Sequence, residues 1–200
     1  MGAGVLRLGL VLLAAALLAS CVNTVAARRF PALDERRTAI QRVAVAPLVA
    51  PEDAATSAPV VARYLTEALV ARGIEVVGPE DVARAAGATG ADDVPELAAL
   101  VNREFGADAL VLGEITRWIE REGNAAGTRR PASVGLRVSL YSAGQGERLW
   151  VGSFDHTQQP LSENVLLTTR YPGGGTRWLT AEEFAQFAAQ ELAAALPLAP

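Results

Sequence analysis

The chain has 200 residues, of which half are apolar and a fifth are charged, and this suits one globular domain with an appendage. The composition excludes collagen, coiled-coil and wholly disordered chains. All 18 basic residues are arginine, and against 22 acidic residues they leave a formal net charge of −4. We therefore expect no broad basic surface and no nucleic-acid partner.

The N-terminal segment has the pattern of a secretory signal peptide. Arg7 precedes an apolar stretch from Leu8 to Leu18, which is too short to span a bilayer. The stretch ends in Leu18-Ala19-Ser20-Cys21, which resembles a bacterial lipobox. The resemblance implies that residues 1–20 are removed and that the Cys21 thiol is lipidated, with fatty acyl chains such as palmitate. The alternative is a buried cysteine at the end of an ordinary apolar helix.

A lipid on Cys21 would anchor the chain to a membrane without spanning it. Val22 stands where inner-membrane lipoproteins usually carry Asp, so the resemblance implies the outer membrane, with the domain in the periplasm. Because Cys21 is the single cysteine, we expect no disulfide. Residues 21–38 mix charges with a proline, which predicts a flexible tether of about 23 Å average span before a domain at 39–197.

The first half of that domain alternates strands with helices. A β-branched run from Ile40 to Val49 predicts a buried strand, and an apolar helix face follows a cap at Thr56 or Ser57. Ile74–Gly78 predicts a second strand, and two helices should follow, the second ending at Gly106. Residues 107–115 are strongly apolar and predict a strand in the middle of the sheet.

The second half predicts a strand pair and a final helix. A polar loop at 120–131 leads to a strand in which Val134, Leu136, Val138 and Leu140 share one face. Residues 144–147 predict a hairpin turn, and residues 148–156 its return strand. Thr180 and Glu183 form a capping-box pattern before the last helix. The order β-α-β-α-α-β-β-β-α predicts a single α/β domain, a two- or three-layer sandwich with a mixed central sheet.

Several sequence segments of this domain occur together in one known group of proteins. RVAVAPL, ARGIEVVGPEDV, FGADALVLGEITRW and VGLRVSLYSAGQGERLW resemble the CsgG and LpoB-like group of envelope lipoproteins, related in fold to the N-terminal domain of TolB. The resemblance covers residues 40–155 and the last helix. It implies a role in curli secretion, activation of peptidoglycan synthases or other envelope assembly, because this group shares a fold and not one function.

The residues give no pattern of a catalytic or metal site. His156 is the only histidine, and it adjoins Asp155 in a predicted strand, so the two side chains should face opposite ways. Metal-binding spacings such as HxxxH and CxxC do not occur, and paired acids such as Asp92-Asp93 fall at helix starts, where they favour the helix dipole. Glycines 173–175 lack the GK[ST] of a phosphate loop. We therefore expect a non-enzyme with no cofactor and no metal.

A long connection, residues 157–178, is the candidate contact segment. Its candidate partner-binding residues are Leu161, Val165, Leu166, Tyr171 and Trp178. Apolar and aromatic residues among amides and glycines are typical of a protein-docking surface. They equally fit a segment that covers the core or a sheet edge.

These features favour a non-catalytic adaptor that is anchored in the outer membrane and binds another envelope protein. One alternative is an LpoB-like activator of a peptidoglycan synthase, for which a tether of about 23 Å is short. Another is a CsgG-like oligomeric secretion component, although no apolar strand pair of about 9–11 residues is left over to enter a membrane. A soluble homo-oligomer remains open, as does a hydrolase that uses the acidic residues.

Overall fold

The computed structural model describes residues 24–36, 40–160, 162–163 and 169–198. The strands are β1 (Ala26–Arg29), β2 (Arg42–Val45), β3 (Glu75–Val77), β4 (Ala109–Ile119), β5 (Glu122–Gly123), β6 (Thr128–Arg130), β7 (Ser133–Ser142) and β8 (Arg148–Thr157). The helices are α1 (Ala32–Arg36), α2 (Ala58–Ala71), α3 (Pro79–Thr89), α4 (Val94–Phe105) and α5 (Ala181–Ala195), and a 3-10 helix at Glu52–Ser57 precedes α2.

Six strands form one mixed sheet in the order β1-β8-β7-β4-β2-β3. Strand β2 runs parallel to β3 and β4, whereas β4, β7, β8 and β1 pair antiparallel. The predicted α/β class with a mixed central sheet is confirmed, and β4 lies inside the sheet between β7 and β2. No described helix is long and apolar enough to cross a membrane.

Helices cover the two faces of the sheet unequally. On one face α2 and α5 enclose the larger core, which contains the predicted apolar face of β7 (Val134, Leu136, Val138 and Leu140). On the other face α3 and α4 pack over a smaller core that includes Ala44, Val82, Val101 and Leu110. The second core lies over β2, β4 and the end of β7. This part of the molecule therefore has three layers, helix, sheet and helix, whereas the described helices cover only one face of the rest of the sheet.

Local signals in the sequence set the ends of the helices. Thr180 and Glu183 form the predicted capping box, in which Thr180 Oγ1 accepts from Glu183 N and Glu183 accepts from Thr180 N. Gly106 ends α4 with a left-handed φ of 63°. Asp108 then joins two strands, because its Oδ2 accepts from the backbone N–H groups of Gln41 and Arg42, each at 2.9 Å.

The described part of the predicted flexible tether, residues 24–36, is folded onto the domain. Residues 26–29 form β1, which pairs with β8 along the edge of the sheet, and residues 32–36 form α1. Leu33 is fully buried in the larger core. The folded domain therefore begins before residue 39, because β1 pairs with the edge of β8 and Leu33 packs into the larger core. The predicted polar loop at 120–131 likewise contains a small hairpin, β5–β6.

Candidate interaction surface

The predicted site residues fall into two groups. Leu18, Ala19, Ser20 and Cys21 lie outside the described residues, as do Leu161, Val165 and Leu166. Among the candidate contact residues, Tyr171 and Trp178 lie within them. Their surroundings decide whether the end of the 157–178 segment is an exposed surface or part of the core.

Tyr171 belongs to the core, which does not fit its predicted role as an exposed partner-binding residue. Only 2% of the residue is exposed, and its ring packs edge-on against Phe184 at 5.4 Å and Phe187 at 5.2 Å between centroids. Burial raises the pKa of the Tyr171 hydroxyl. The chain turns back over α5 here, so the aromatic side chain fills the core instead of facing solvent.

Trp178 is half-buried and is held against the β5–β6 hairpin. Its backbone N–H donates to the carbonyl of Ala125 at 2.9 Å, and its own carbonyl accepts from Arg121. Gln158, which is buried, donates to the Arg177 carbonyl at 2.9 Å and accepts from Leu179 N at 2.7 Å. The described end of the segment is thus fixed to the domain, which favours its role as a cover of the core.

Glycines 173–175 form a tight turn between these two residues. Their φ angles are 79°, 65° and 75°, all in the left-handed region that side chains with a Cβ rarely adopt. Gly174 N donates to the Tyr171 carbonyl at 2.8 Å. This run of glycines therefore allows the chain to reverse directly after the buried tyrosine.

Asp155 and His156 face opposite sides of β8, as expected. His156 Nε2 lies 2.8 Å from the Thr24 carbonyl, and its ring packs against Phe154. Asp155 pairs with Arg117 on the other face of the sheet. The two side chains therefore cannot act as an acid–base pair. Within the described ranges no three His, Cys, Asp or Glu residues are grouped so that they could hold a metal ion.

The uncovered half of the sheet is the best candidate for a contact surface. We call it the open sheet face and define it by Leu112, Glu114, Arg137, Ser139, Tyr141, Arg148 and Val151, with Val49 at its margin. The strand register places Leu112, Ser139 and Val151 in one row across β4, β7 and β8. This face carries the even-numbered side of β4, opposite the buried Val111 and Ile115.

The open sheet face combines an apolar floor with a charged rim. Arg137 and Glu114 form an ion pair at 2.9 Å on the row beside Leu112, Ser139 and Val151. Arg148 donates from Nε and Nη2 to the Tyr141 hydroxyl, at 3.0 and 2.8 Å. The resulting groove has a volume of about 440 Å³, and 68% of the Val49 residue is exposed beside it. Apolar floors with polar rims are typical of protein-docking sites.

A second groove, of about 420 Å³, lies on the opposite side of the molecule between α2 and α5. Its walls are mostly short side chains and amides, including Ala68, Ala71, Gln186 and Gln190. Val70 on α2 is 55% exposed. The two exposed large apolar residues of the described chain, Val49 and Val70, therefore lie on different elements, one beside the open sheet face and one on α2.

Comparisons with known proteins identify the fold and no family. No protein-family model and no curated protein matches the sequence. The PelC dodecamer from Paraburkholderia phytofirmans is similar in structure, with a TM-score of 0.52 and 16% identity, over 88% of this chain and 98% of that chain. A point variant of that dodecamer gives a TM-score of 0.54 at 16% identity, over 84% of this chain and 94% of that chain.

The C-terminal domain of LpoB from Escherichia coli aligns with a TM-score of 0.38 at 18% identity, over 59% of this chain and 83% of that domain. That score is too low to support an argument. The CsgG and LpoB-like resemblance of the sequence therefore stays a prediction, whereas the PelC-like fold is an observation.

Proposed function

We propose that this chain is a lipoprotein of the outer membrane, anchored through Cys21, whose periplasmic domain is a non-catalytic adaptor. The anchor is supported by Leu18-Ala19-Ser20-Cys21 after an apolar stretch with one preceding cation. The adaptor role is supported by a single structural observation, the groove on the open sheet face, whose apolar floor of Leu112 and Val151 adjoins the smaller core under α3 and α4. In this proposal the domain binds another envelope protein and catalyses no reaction.

The open sheet face suits a protein partner better than a small ligand. The charges at the rim of the groove are already compensated by the Glu114–Arg137 pair and the Arg148–Tyr141 hydrogen bonds, so they are not left to bind a charged small ligand. An exposed apolar residue beside a row of partly buried residues is the arrangement that a partner's apolar side chain can cover. We therefore assign docking to the Leu112, Ser139 and Val151 row and to Val49.

The test of the adaptor compares two matched variants of the full chain. Val49→Asp places a charge beside the open sheet face, and Val70→Asp places the same charge on α2, at similar exposure. After cross-linking in cells, we expect Val49→Asp to lose at least about tenfold of a defined envelope partner that wild type and Val70→Asp retain. Equal recovery from both variants, with equal melting temperatures, would contradict docking on this face.

The anchor has its own test. Cys21→Ala should abolish incorporation of labelled palmitate and leave the protein as an uncleaved or soluble precursor. Unchanged palmitate labelling and unchanged sedimentation with outer membranes would contradict lipidation at Cys21. Because this experiment does not depend on any partner, it separates the anchor from the adaptor role.

An oligomeric envelope component is the second candidate, because the chain shares the fold of PelC, which forms a dodecamer. A ring needs two different contact surfaces on each subunit, and the open sheet face and the α2–α5 groove could serve as such a pair. In that case Val49→Asp and Ala68→Asp, which changes a residue that lines the α2–α5 groove, should both reduce the native mass to that of a monomer. An LpoB-like activator is less favoured, since only two residues separate Cys21 from the folded Thr24, a reach of at most about 11 Å.

A further inference from the structure

Two neighbouring arginines of β1 have no acceptor among the residues that the structure describes. Nine described arginines form ion pairs: Arg42, Arg63, Arg84, Arg103, Arg117, Arg130, Arg137, Arg170 and Arg177. Arg72 and Arg121 donate to backbone carbonyls, and Arg148 donates to Tyr141. Among the arginines whose side chains the structure describes, Arg28, Arg29 and Arg129 remain, and the first two are adjacent on the edge strand.

The fold fixes the chain just before this strand. Thr24 is 3% exposed, its carbonyl lies 2.8 Å from His156 Nε2, and its hydroxyl donates to Glu191. Arg170 also pairs with Glu191, so that carboxylate is occupied. Residues of β8 and α5 therefore hold the chain at Thr24, where it enters the folded domain, and β1 starts two residues later.

The present inference rests on the proposed lipid on Cys21, because that lipid would hold β1 close to a membrane. Two residues separate Cys21 from Thr24, so Cys21 lies at most about 11 Å from Thr24 and at most about 18 Å from the start of β1 at Ala26. This short connection keeps β1 near the bilayer, where the charge of a membrane surface acts over roughly 8–10 Å at physiological salt. The whole of β1 is exposed, including both arginines.

We infer that Arg28 and Arg29, which extend from the two opposite faces of this edge strand, bind the headgroups of anionic phospholipids on either side of it, so that the β1 edge lies against the bilayer. The nearby acids do not cancel this charge: Asp34 and Glu35 lie on the exposed side of α1, beyond the turn that follows β1, and neither pairs with Arg28 or Arg29. Arg28 stacks over the Phe30 ring at 5.1 Å, which leaves its N–H groups for phosphate oxygens. A second contact beside the lipid would orient the domain and would cover the exposed strand edge.

The test uses the lipidated full-length product reconstituted into phosphatidylcholine vesicles with or without 30 mol% (about a third) phosphatidylglycerol. Amide hydrogen exchange of residues 26–29 is measured at low and high salt. We expect exchange to slow with the anionic lipid, by up to about thirtyfold for two arginines at the surface, and to recover at high salt. Inorganic phosphate added to phosphatidylcholine vesicles should give no such protection, which distinguishes a lipid surface from free phosphate.

Two matched double variants complete the design. Arg28→Gln with Arg29→Gln should lose the protection, whereas Arg84→Gln with Arg103→Gln, the same charge change on α3 and α4, should keep it. Equal exchange in both vesicle types, or protection that survives loss of Arg28 and Arg29, would overturn the inference and leave the anchor intact. Failure of the wild-type product to enter any vesicle would instead contradict lipidation at Cys21, and with it this inference.

Discussion

The indole ring of Trp150 fills the space above Gly152, its neighbour two residues along β8. A Cβ atom added at Gly152 would lie 2.2 Å from Cη2 of the ring and 2.5 Å from Cζ2. Both residues face the larger core, since side chains two apart in a strand share a face. Trp150 is completely buried there and is the largest fully buried side chain of the described chain. The missing side chain of Gly152 thus provides room for the tryptophan.

Gly152→Ala should therefore destabilise the domain by overpacking. We expect the free energy of unfolding to fall by about 1–3 kcal/mol, since the ring must leave its position or the strand must shift. Urea denaturation followed by tryptophan fluorescence measures the change. Gly144→Ala is the control, because a Cβ there meets nothing within 4 Å, and it should stay within about 0.5 kcal/mol of wild type. Equal stabilities for the two variants would show that Trp150 repacks freely.

Apart from the β5–β6 hairpin, the strands and helices from β2 onward could be predicted because each carries a local signal. The alternation in β7, the left-handed Gly106 and the capping box at Thr180 and Glu183 depend on neighbours in sequence alone. Strand β1 carries no such signal, since all four of its residues are exposed and none alternates with a buried partner. It forms because β8 has an edge to pair with, which is a property of the assembled sheet.

The burial of Tyr171 could not be predicted for the same physical reason. Tyr171 stands among glycines and polar residues, and only the return of the chain over Phe184 and Phe187 buries it. The open sheet face is formed by alternate residues of β4, β7 and β8. Periodicity divides each strand into two faces, but the helix positions decide which part of a face stays uncovered.

Tyr171 is expected to act through packing. Tyr171→Ala removes the ring from its contacts with Phe184 and Phe187 and should cost about 3–5 kcal/mol of unfolding free energy. Tyr171→Phe should change it by less than about 1 kcal/mol, because the hydroxyl faces the Gln159 backbone without a well-formed hydrogen bond. Thermal and urea unfolding test both variants. A stable Tyr171→Ala protein that has lost a partner would restore the contact role.

Arg72 is expected to hold the C-terminal end of α5. Its guanidinium donates to the carbonyls of Ala193, Leu196 and Leu198, and desolvation by burial lowers its pKa. Arg72→Met keeps much of the aliphatic stem and leaves these carbonyls without their donor, at an expected cost of about 2–3 kcal/mol.

The matched control lies on the same helix. Arg63→Met removes an exposed pair with Glu67 and should cost no more than about 0.5 kcal/mol. Hydrogen exchange at residues 192–198 should quicken in Arg72→Met and stay unchanged in Arg63→Met. If residues 192–198 exchange at the same rate in both variants, the three hydrogen bonds from Arg72 do not stabilise that end of α5.

Glu183 should make the stability of the domain depend on pH. Burial alone would raise the pKa of Glu183. Hydrogen bonds from Thr180 N and Arg177 lower it by more than burial raises it, so the pKa in the folded protein lies below its usual value. The ionised carboxylate therefore stabilises the fold above the pKa of the unfolded chain, about 4.3, and this stabilisation is lost as pH falls through the folded-state pKa.

Free energies of unfolding measured between pH 7 and pH 3 should fall more steeply for wild type than for Glu183→Gln. Glu80→Gln, the same change at an exposed position of α3, should keep the wild-type slope. Parallel curves for wild type and Glu183→Gln would mean that the capping box is insensitive to the charge of Glu183, and that its geometry alone holds the start of α5.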